Sequence, residues 1–447
     1  MNRWIARRLL YPWHEKLRGR KTYAFLDRLQ SSDSLTLAEL ESKRDQFLRD
    51  LIQHAAAEVP YWRRVFARDG LSPDLIQCAA DLERLPLMDK PVIREEADQL
   101  VADSWRERVF KLETGGSSGE PLIFFADKDR ESAALAAKAR CRSWFGIRMG
   151  DRQMDLWGSP IELGAHDRFR ALKDRWLNFR MLSAFELSDE KMAGFRAALE
   201  AHDTDYIYGY SSVLARYARF LGDRGEDLSR LRLKAAIGTA ETLFAEDREL
   251  IERIFACPVA NEYGSRDGGY IAQSCPAGGL HLNLDVTTIE ILDEDGAVLP
   301  AGELGEVAVT NLWSYGAPMV RYRLGDRARI SKEPCGCGLP YPVLSELGGR
   351  VSDTLKTADG NRVHGLGVIY VVRVLPGVGR FQIVQESLGC VRVAVVPRGE
   401  PSRDELEVPI EIGLKQVLGQ SMAIIVERVS EIPTLPSGKT RSVVCEV

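Results

Sequence analysis

The chain has 447 residues, a formal net charge of −5, and 45% hydrophobic against 28% charged residues. That balance belongs to a globular protein with ample chain for a large core, and it excludes disordered, collagen-like and coiled-coil architectures. The slight acidic excess has the wrong sign for a nucleic-acid binder, and the length gives a prior of about three domains. No apolar run approaches the ~20 residues needed to span a bilayer. Arg3, Arg7 and Arg8 stand where a signal peptide would need an apolar stretch, so a cytoplasmic location is expected. In that compartment the eight cysteines read as thiols or metal ligands rather than disulfides.

Residues 1–21 carry seven Lys/Arg and one Glu, with Trp4, Ile5, Leu9 and Leu10 interleaved. The segment reads as a terminal helix packed on its own domain with a solvated basic face; weak contact with an anionic membrane surface is the alternative. Thr36 followed by Glu39 is a capping box, and the apolar spacing behind it predicts a helix over 37–58. Residues 108–113 and 122–126 read as two short strands joined by a Gly/Ser loop, followed by an alanine-rich helix over 129–145. Strand signals then alternate with helical patterns through 155–310, which suggests an α/β fold with large sheets. Beyond about 350 the order is helix (366–374), strand (379–387), strand (390–397), helix (403–418) and strand (421–429). That is a small α+β module, joined near Arg350–Asp353.

Three segments carry chemistry. Thr114-Gly-Gly-Ser-Ser-Gly119 can turn tightly and aim several N–H and hydroxyl donors at one anion, as a phosphate cradle does. It lacks the Gly-Lys-[Ser/Thr] ending of a P-loop. In Asn261-Glu-Tyr-Gly-Ser-Arg-Asp267 a tyrosine beside glycine can stack on a flat base, and a nearby carboxylate can hold Mg²⁺. In Val320-Arg-Tyr-Arg-Leu-Gly-Asp326 an acceptor-only aspartate at a turn suits a ribose diol. Taken singly, each also reads as an ordinary turn or core residue.

Their order, continued by Gly349-Arg-x-x-Asp353 and Pro436-Ser-Gly-Lys439, resembles the core motifs of adenylate-forming ligases. The chain resembles the phenylacetate–CoA ligase family, including its branch of capsular polysaccharide biosynthesis proteins, from about Pro60 to Lys439. The resemblance implies a large N-terminal adenylate-forming (acyl-activating enzyme) α/β domain with mixed sheets over 1–350, its first 58 residues helical. A small mobile α+β domain would follow over 351–447. It further implies that Thr114, Gly115, Gly116, Ser117, Ser118 and Gly119 hold ATP phosphates. Thr239, Ala240 and Glu241 would flank the adenine, with Thr242 in place of a usual proline. Tyr263, between Glu262 and Gly264, would stack on the adenine, and Asp267 stands in for a longer Mg²⁺-binding glutamate. Asp326 and Arg350 would bind the ribose, Arg362 a phosphate, and Ser352 would sit at the hinge. Lys439 would supply the point charge at the α-phosphate, where transfer needs electrostatic stabilisation more than covalent help.

Tyr208, Gly209, Tyr210 and Ser211 would open a helix at the acid pocket, with Trp144, Phe145 and Tyr210 as its aromatic wall or as core. Cys275, His281, Cys335 and Cys337 make a closed Cys₃His set suited to structural Zn²⁺, and some relatives carry a comparable set. The expected activity is ATP- and Mg²⁺-dependent formation of an acyl-adenylate from a small carboxylic acid, with transfer to CoA. The alternatives are transfer to an amine, hydroxyl or carrier protein, and a non-catalytic nucleotide-binding relative.

Overall fold

In the computed structural model, Thr36 caps the helix Leu37–Glu58 as its sequence predicts. Its Oγ1 accepts from the Glu39 N–H at 3.3 Å, and Glu39 Oε2 accepts from the Thr36 N–H at 2.8 Å. One stripe of this helix (Leu40, Leu48, Leu51, Ile52 and Ala55) is buried. Pro60 opens the next helix, Pro60–Arg68, where a missing N–H costs nothing. Trp62 is fully buried there, and its indole N–H donates to the Pro318 carbonyl at 3.1 Å. The structure describes residues 1–113, 122–157, 173–183, 189–240, 242–350, 354–357, 362–432 and 442–447.

Strands β1 (Phe110–Glu113) and β2 (Ile123–Ala126) pair antiparallel. Asp127 caps the alanine-rich helix Lys128–Ser143, accepting from the Arg130 N–H at 2.8 Å. Eleven strands then build one mixed sheet. They are β3 (Gln153–Trp157), β4 (Phe179–Ser183), β5 (Tyr206–Tyr210), β6 (Ala235–Thr239), β7 (Val259–Ser265), β8 (Gly269–Ser274), β9 (Leu280–Leu282), β10 (Thr287–Leu292), β11 (Leu304–Asn311), β12 (Tyr322–Ile330) and β13 (Val343–Arg350). Their spatial order is β10-β11-β12-β13-β9-β8-β7-β6-β5-β3-β4. The run from β7 to β4 is parallel throughout. Its strands are joined by crossovers containing helices Asp189–His202, Ser211–Gly222 and Ala245–Phe255. A parallel sheet must be covered by its crossover helices. Accordingly β6 (Ala-Ala-Ile-Gly-Thr) is buried at every position, and helix Ser211–Gly222 faces the core with Leu214, Tyr217, Ala218 and Leu221.

Two compact units emerge. One holds the described residues up to 324 together with 328–347; the other holds 325–327 and the described residues from 348 onward. In the second unit β14 (Thr354–Lys356) and β15 (Arg362–His364) form a small hairpin. Strands β16 (Val378–Ser387), β17 (Cys390–Pro397), β18 (Ala423–Arg428) and β19 (Val443–Cys445) form a sheet in the order β18-β17-β16-β19. Helices Gly365–Arg373 and Glu407–Leu418 accompany it. The second helix starts four residues later than its pattern suggests. Ser402 and Glu405 instead close a local turn, with Glu405 Oε2 accepting from the Ser402 N–H at 2.8 Å. Val391, Val393 and Val395 alternate inward along β17, and Ile410, Leu414 and Leu418 of helix Glu407–Leu418 are buried as well.

Among the described residues no helix is long and apolar enough to cross a membrane.

Candidate active site

The carboxyl ends of parallel strands in an open α/β sheet form the crevice where ligands bind. Here those ends carry Trp157 on β3, Tyr210 on β5, Thr239 on β6 and the Glu262-Tyr263-Gly264 run on β7. Registers are direct: Tyr210 pairs with Thr239 and Thr239 with Glu262. Trp157 stacks on Tyr210 with ring centroids 4.1 Å apart, and its other neighbour is Tyr208 at 5.8 Å. The sequence places Tyr208 to Ser211 at the start of a helix; instead Tyr208, Gly209 and Tyr210 belong to β5, and the helix begins at Ser211. The segment Tyr-Ile-Tyr-Gly-Tyr is aromatic and β-branched, and its pairing with β3 and β6 on both sides fixes it as a strand.

Of the two readings of the aromatic residues, core packing describes Trp144 and Phe145. Trp144 packs against His281 and Tyr341 at 5.8 and 6.1 Å, and its indole N–H donates to Asp33 Oδ2 at 3.1 Å. Phe145 is a buried core residue. The partner of Tyr210 is Trp157, which the sequence reading does not single out.

Behind the aromatic pair lies a buried polar cluster centred on Glu262. Its Oε1 accepts from the Tyr208 hydroxyl at 2.7 Å and lies 3.0 Å from the Lys138 ammonium. Thr239 Oγ1 reaches the same oxygen at 3.4 Å, and the Arg142 guanidinium lies 4.0 Å from Oε2. Burial opposes ionisation of Glu262, but the charges of Lys138 and Arg142 overcome it and hold the carboxyl below its usual range. Burial in turn lowers the Lys138 ammonium, against the attraction of Glu262. Asp155 on β3 completes the group: burial lifts its carboxyl to about 7, although Gln153 Nε2 donates to it at 2.6 Å. Glu262 Oε2 and Arg142 Nε are both buried without a hydrogen-bond partner among the described residues. Orphaned polar atoms are rare in folded interiors and mark a place that a polar ligand or water completes.

The sequence motifs do not single out Lys138 and Arg142, although the two stand four residues apart on one face of a helix otherwise rich in alanine. That spacing was the available signal.

Tyr263 is 7% exposed and packs in the largest core cluster. Gly264 follows it because a Cβ there would come within 2.5 Å of the Gly269 carbonyl oxygen, where β7 and β8 slip register. Asp267 is buried, its Oδ2 accepting from the Tyr322 hydroxyl at 2.7 Å; Arg130 donates to the Arg266 and Asp267 carbonyls, each at 2.7 Å. Ala240 adopts φ 65°, a left-handed conformation that costs a non-glycine residue of order 1 kcal/mol or more. Asp326 belongs to the stretch 325–327 of β12 assigned to the second unit. Thr114 to Gly119, Glu241, Ser352 and Lys439 lie outside the described residues. Arg350 closes β13 and Arg362 opens β15, and both side chains lie outside the described set as well.

Cys275, His281, Cys335 and Cys337 converge at a second place in the first unit, their ligand atoms all within 4.8 Å of one another. His281 is fully buried, and its Nδ1 lies 2.9 Å from the Tyr341 carbonyl. That contact assigns the N–H to Nδ1 and leaves Nε2, 3.2 Å from Cys337 Sγ, with its lone pair inward. Cys275 and Cys335 sulfurs are 3.8 Å apart, and the Leu339 N–H donates to Cys337 Sγ at 3.4 Å. A Cβ on Gly279 would lie 2.7 Å from Cys335 Sγ and 3.3 Å from His281 Nε2, so only glycine lets the loop wrap the set. The chemistry fits a closed Cys₃His zinc site.

Residues 355–446 match the CapK C-terminal domain. The chain is 24% identical to Protein CapK of Staphylococcus aureus, the match covering 94% of this chain and 91% of the relative. It is 24% identical to the phenylacetate-coenzyme A ligase of Thermus thermophilus over 85% of this chain and 83% of that protein. Among solved structures, 2-hydroxyisobutyryl-CoA ligase in its postadenylation state superposes with a TM-score of 0.74 at 20% identity, covering 93% and 91% of the two chains. ATP-bound MatB from Rhodopseudomonas palustris gives 0.52 at 17%, covering 75% and 65%. The fold is thus that of the adenylate-forming ligases, and the chain is similar to Protein CapK and to the phenylacetate-coenzyme A ligases.

Proposed function

We propose that the protein is an ATP-dependent, AMP-forming ligase that activates a small carboxylic acid as its acyl-adenylate and passes the acyl group to CoA. The observation that carries this reading is the crevice at the carboxyl ends of β3, β5, β6 and β7. There an aromatic pair, Trp157 and Tyr210, stands beside a charge-compensated Glu262 with an unsatisfied oxygen. The similarity to phenylacetate-coenzyme A ligases supports it, as does a structural neighbour that binds an acyl-AMP.

In this reading Trp157 and Tyr210 wall the acid's pocket with Gly209 and Ser211, while Tyr208 is held in place by Glu262. Thr239, Ala240, Glu241 and Tyr263 flank the adenine. Thr114 to Gly119 cradle the phosphates, and Asp326 and Arg350 take the ribose. Arg362 meets a phosphate, and Lys439 neutralises charge developing on the α-phosphate. Asp267, already bonded to Tyr322, would meet Mg²⁺ through water. Zn²⁺ at the Cys₃His set would be structural, clamping the loop after β8 to the one after β12.

A second reading keeps acyl-adenylate formation and passes the acyl group to an amine, hydroxyl or carrier-protein thiol.

Pyrophosphate release measured over a panel of aromatic, fatty, hydroxy and amino acids, with and without CoA, tests both. Acid-dependent release with thioester formation is expected. Release followed by no thioester supports the second reading, and no release with any acid of the panel contradicts both.

A further inference from the structure

The N-terminal segment folds as helix Arg3–Ile5, a wider π turn over Ala6–Leu10, and helix Tyr11–Leu17. It packs on the first unit as expected, with four of its seven basic residues exposed and the other three, Arg3, Arg7 and Arg20, turned to partners in the fold. Arg3 Nε donates to Asp205 Oδ2 at 2.6 Å and its terminal nitrogen to Asp203 Oδ2 at 3.0 Å. Arg7 donates to Asp151 Oδ1 at 2.8 Å and to the Met149 carbonyl at 3.0 Å. Arg20 pairs with Glu15 and reaches Glu131 at 3.0 Å. Ala6 is fully buried, and a Cβ on Gly150 would lie 2.8 Å from the Arg7 backbone nitrogen, so the segment is seated closely.

The apolar residues also face out. Trp4, Leu9, Trp13 and Leu17 are 62%, 56%, 58% and 64% exposed. Ile5, Leu9, Trp13 and Leu17 stand at steps of four, which drift by about 40° each in a straight α-helix. The wider π turn takes back part of that drift and keeps them in one stripe. Arg8, Lys16, Arg18 and Lys21 are exposed around it. Next to Trp4 opens a cavity of about 630 Å³ whose lining includes Arg3, Arg7, Arg148, Arg152 and Lys234. Asp151 in that lining is bonded to Arg7 and Lys234, and Arg3 and Arg152 pair with Asp203.

We infer that this helix lies in the plane of an anionic lipid bilayer and docks the protein there. A tryptophan- and leucine-bearing stripe fringed by cations is matched by acyl chains below and lipid phosphates beside it. A second copy of this chain is a poorer occupant, because pairing two such segments would set their cations against each other.

The full-length protein is sedimented with vesicles of phosphatidylcholine alone, and with vesicles in which about a third of the lipid is phosphatidylglycerol. It should bind the anionic vesicles about tenfold or more tightly than the neutral ones, and less so as salt rises. The double variant Leu9→Gln, Trp13→Gln and the double variant Arg8→Glu, Lys16→Glu change exposed residues only, so each should keep the wild-type melting temperature. Each should lose about tenfold or more in vesicle binding. Absence of binding to anionic vesicles overturns the inference, as does equal binding by the variants. Competition by inorganic phosphate that abolishes binding reduces it to a soluble-phosphate site and equally overturns it. So does a dimer that the apolar variant dissolves, without vesicle binding.

Discussion

The Tyr208 hydroxyl donates to Glu262 Oε1 across 2.7 Å and so ties β5 to β7 over the intervening β6. Lys138 completes the tie from above, 3.0 Å from the same oxygen and 4.6 Å from the Tyr208 ring centre. Removing the carboxylate charge with Glu262→Gln leaves two largely covered cations, Lys138 and Arg142, facing one neutral amide. Breaking a buried pair costs about 3–5 kcal/mol, and the partial exposure of Lys138 lowers the expected loss to about 2–3 kcal/mol. Tyr208→Phe removes the bond to Glu262 and the one the hydroxyl accepts from Lys138 at 3.1 Å but leaves the charges paired, and should cost about 1–2 kcal/mol. Urea unfolding of both variants checks the ranking; equal losses would mean that the charge is not what holds the cluster.

Asp155 makes the cluster pH-dependent. Burial raises its carboxyl from the ordinary 3.8 to about 7 in the folded state. The folded state therefore binds the proton more tightly than the unfolded chain. The favourable contribution is complete below the unfolded value and is lost as pH rises through about 7. Asp155→Asn, which cannot ionise, should be more stable than wild type at pH above this window, by about 4 kcal/mol at most. The gain should shrink as acid is added and vanish toward the unfolded value. Melting curves across the window decide it, and a variant gain that grows toward low pH reverses the assignment.

At the Cys₃His set, Gly279 offers a sharper test than a ligand change. Gly279→Ala retains all four ligands but puts a methyl group 2.7 Å from Cys335 Sγ. It should lower zinc content and melting temperature together, as Cys337→Ser should more severely, because structural zinc contributes folding free energy directly. Elemental analysis and competition with a chromophoric chelator measure this. Unchanged zinc affinity in Gly279→Ala would contradict the cradle, and zinc-free wild type would remove the site.

How far the sequence could be read differs by element. The capped helix behind Thr36, the β1–β2 hairpin and the order of the small unit are written in local signals: a cap, a loop between alternating runs, a change of period. The Cys and His residues were readable because few other roles suit that set. Asp155, Lys138 and Arg142 were not, because a charged residue in a helix or strand reads as a solvated one until its distant partners are known. Lys138 and Glu262 are separated by more than a hundred residues of chain. The N-terminal helix shows the same limit in reverse. Its arginines look like a solvated face, but Asp151, Asp203 and Asp205 supply partners from the body of the protein, and the tryptophans are left outside. Trp144 could be recognised as aromatic and near a site, but only packing shows that the site is His281's.

Whether the protein makes an acyl-adenylate is measured by acid-dependent exchange of radiolabelled pyrophosphate into ATP, compared between wild type and Lys439→Ala. Exchange reports adenylation alone, independent of the acceptor. The wild-type protein should exchange pyrophosphate with at least one carboxylic acid, and the variant about 10²–10³-fold less, as loss of one positioned electrostatic donor does. Transfer of the acyl group from pre-formed acyl-AMP should fall far less in the same variant. Equal loss of both half-reactions would contradict the role given to Lys439, and wild-type protein that exchanges no pyrophosphate with any acid would contradict acyl-adenylate formation itself.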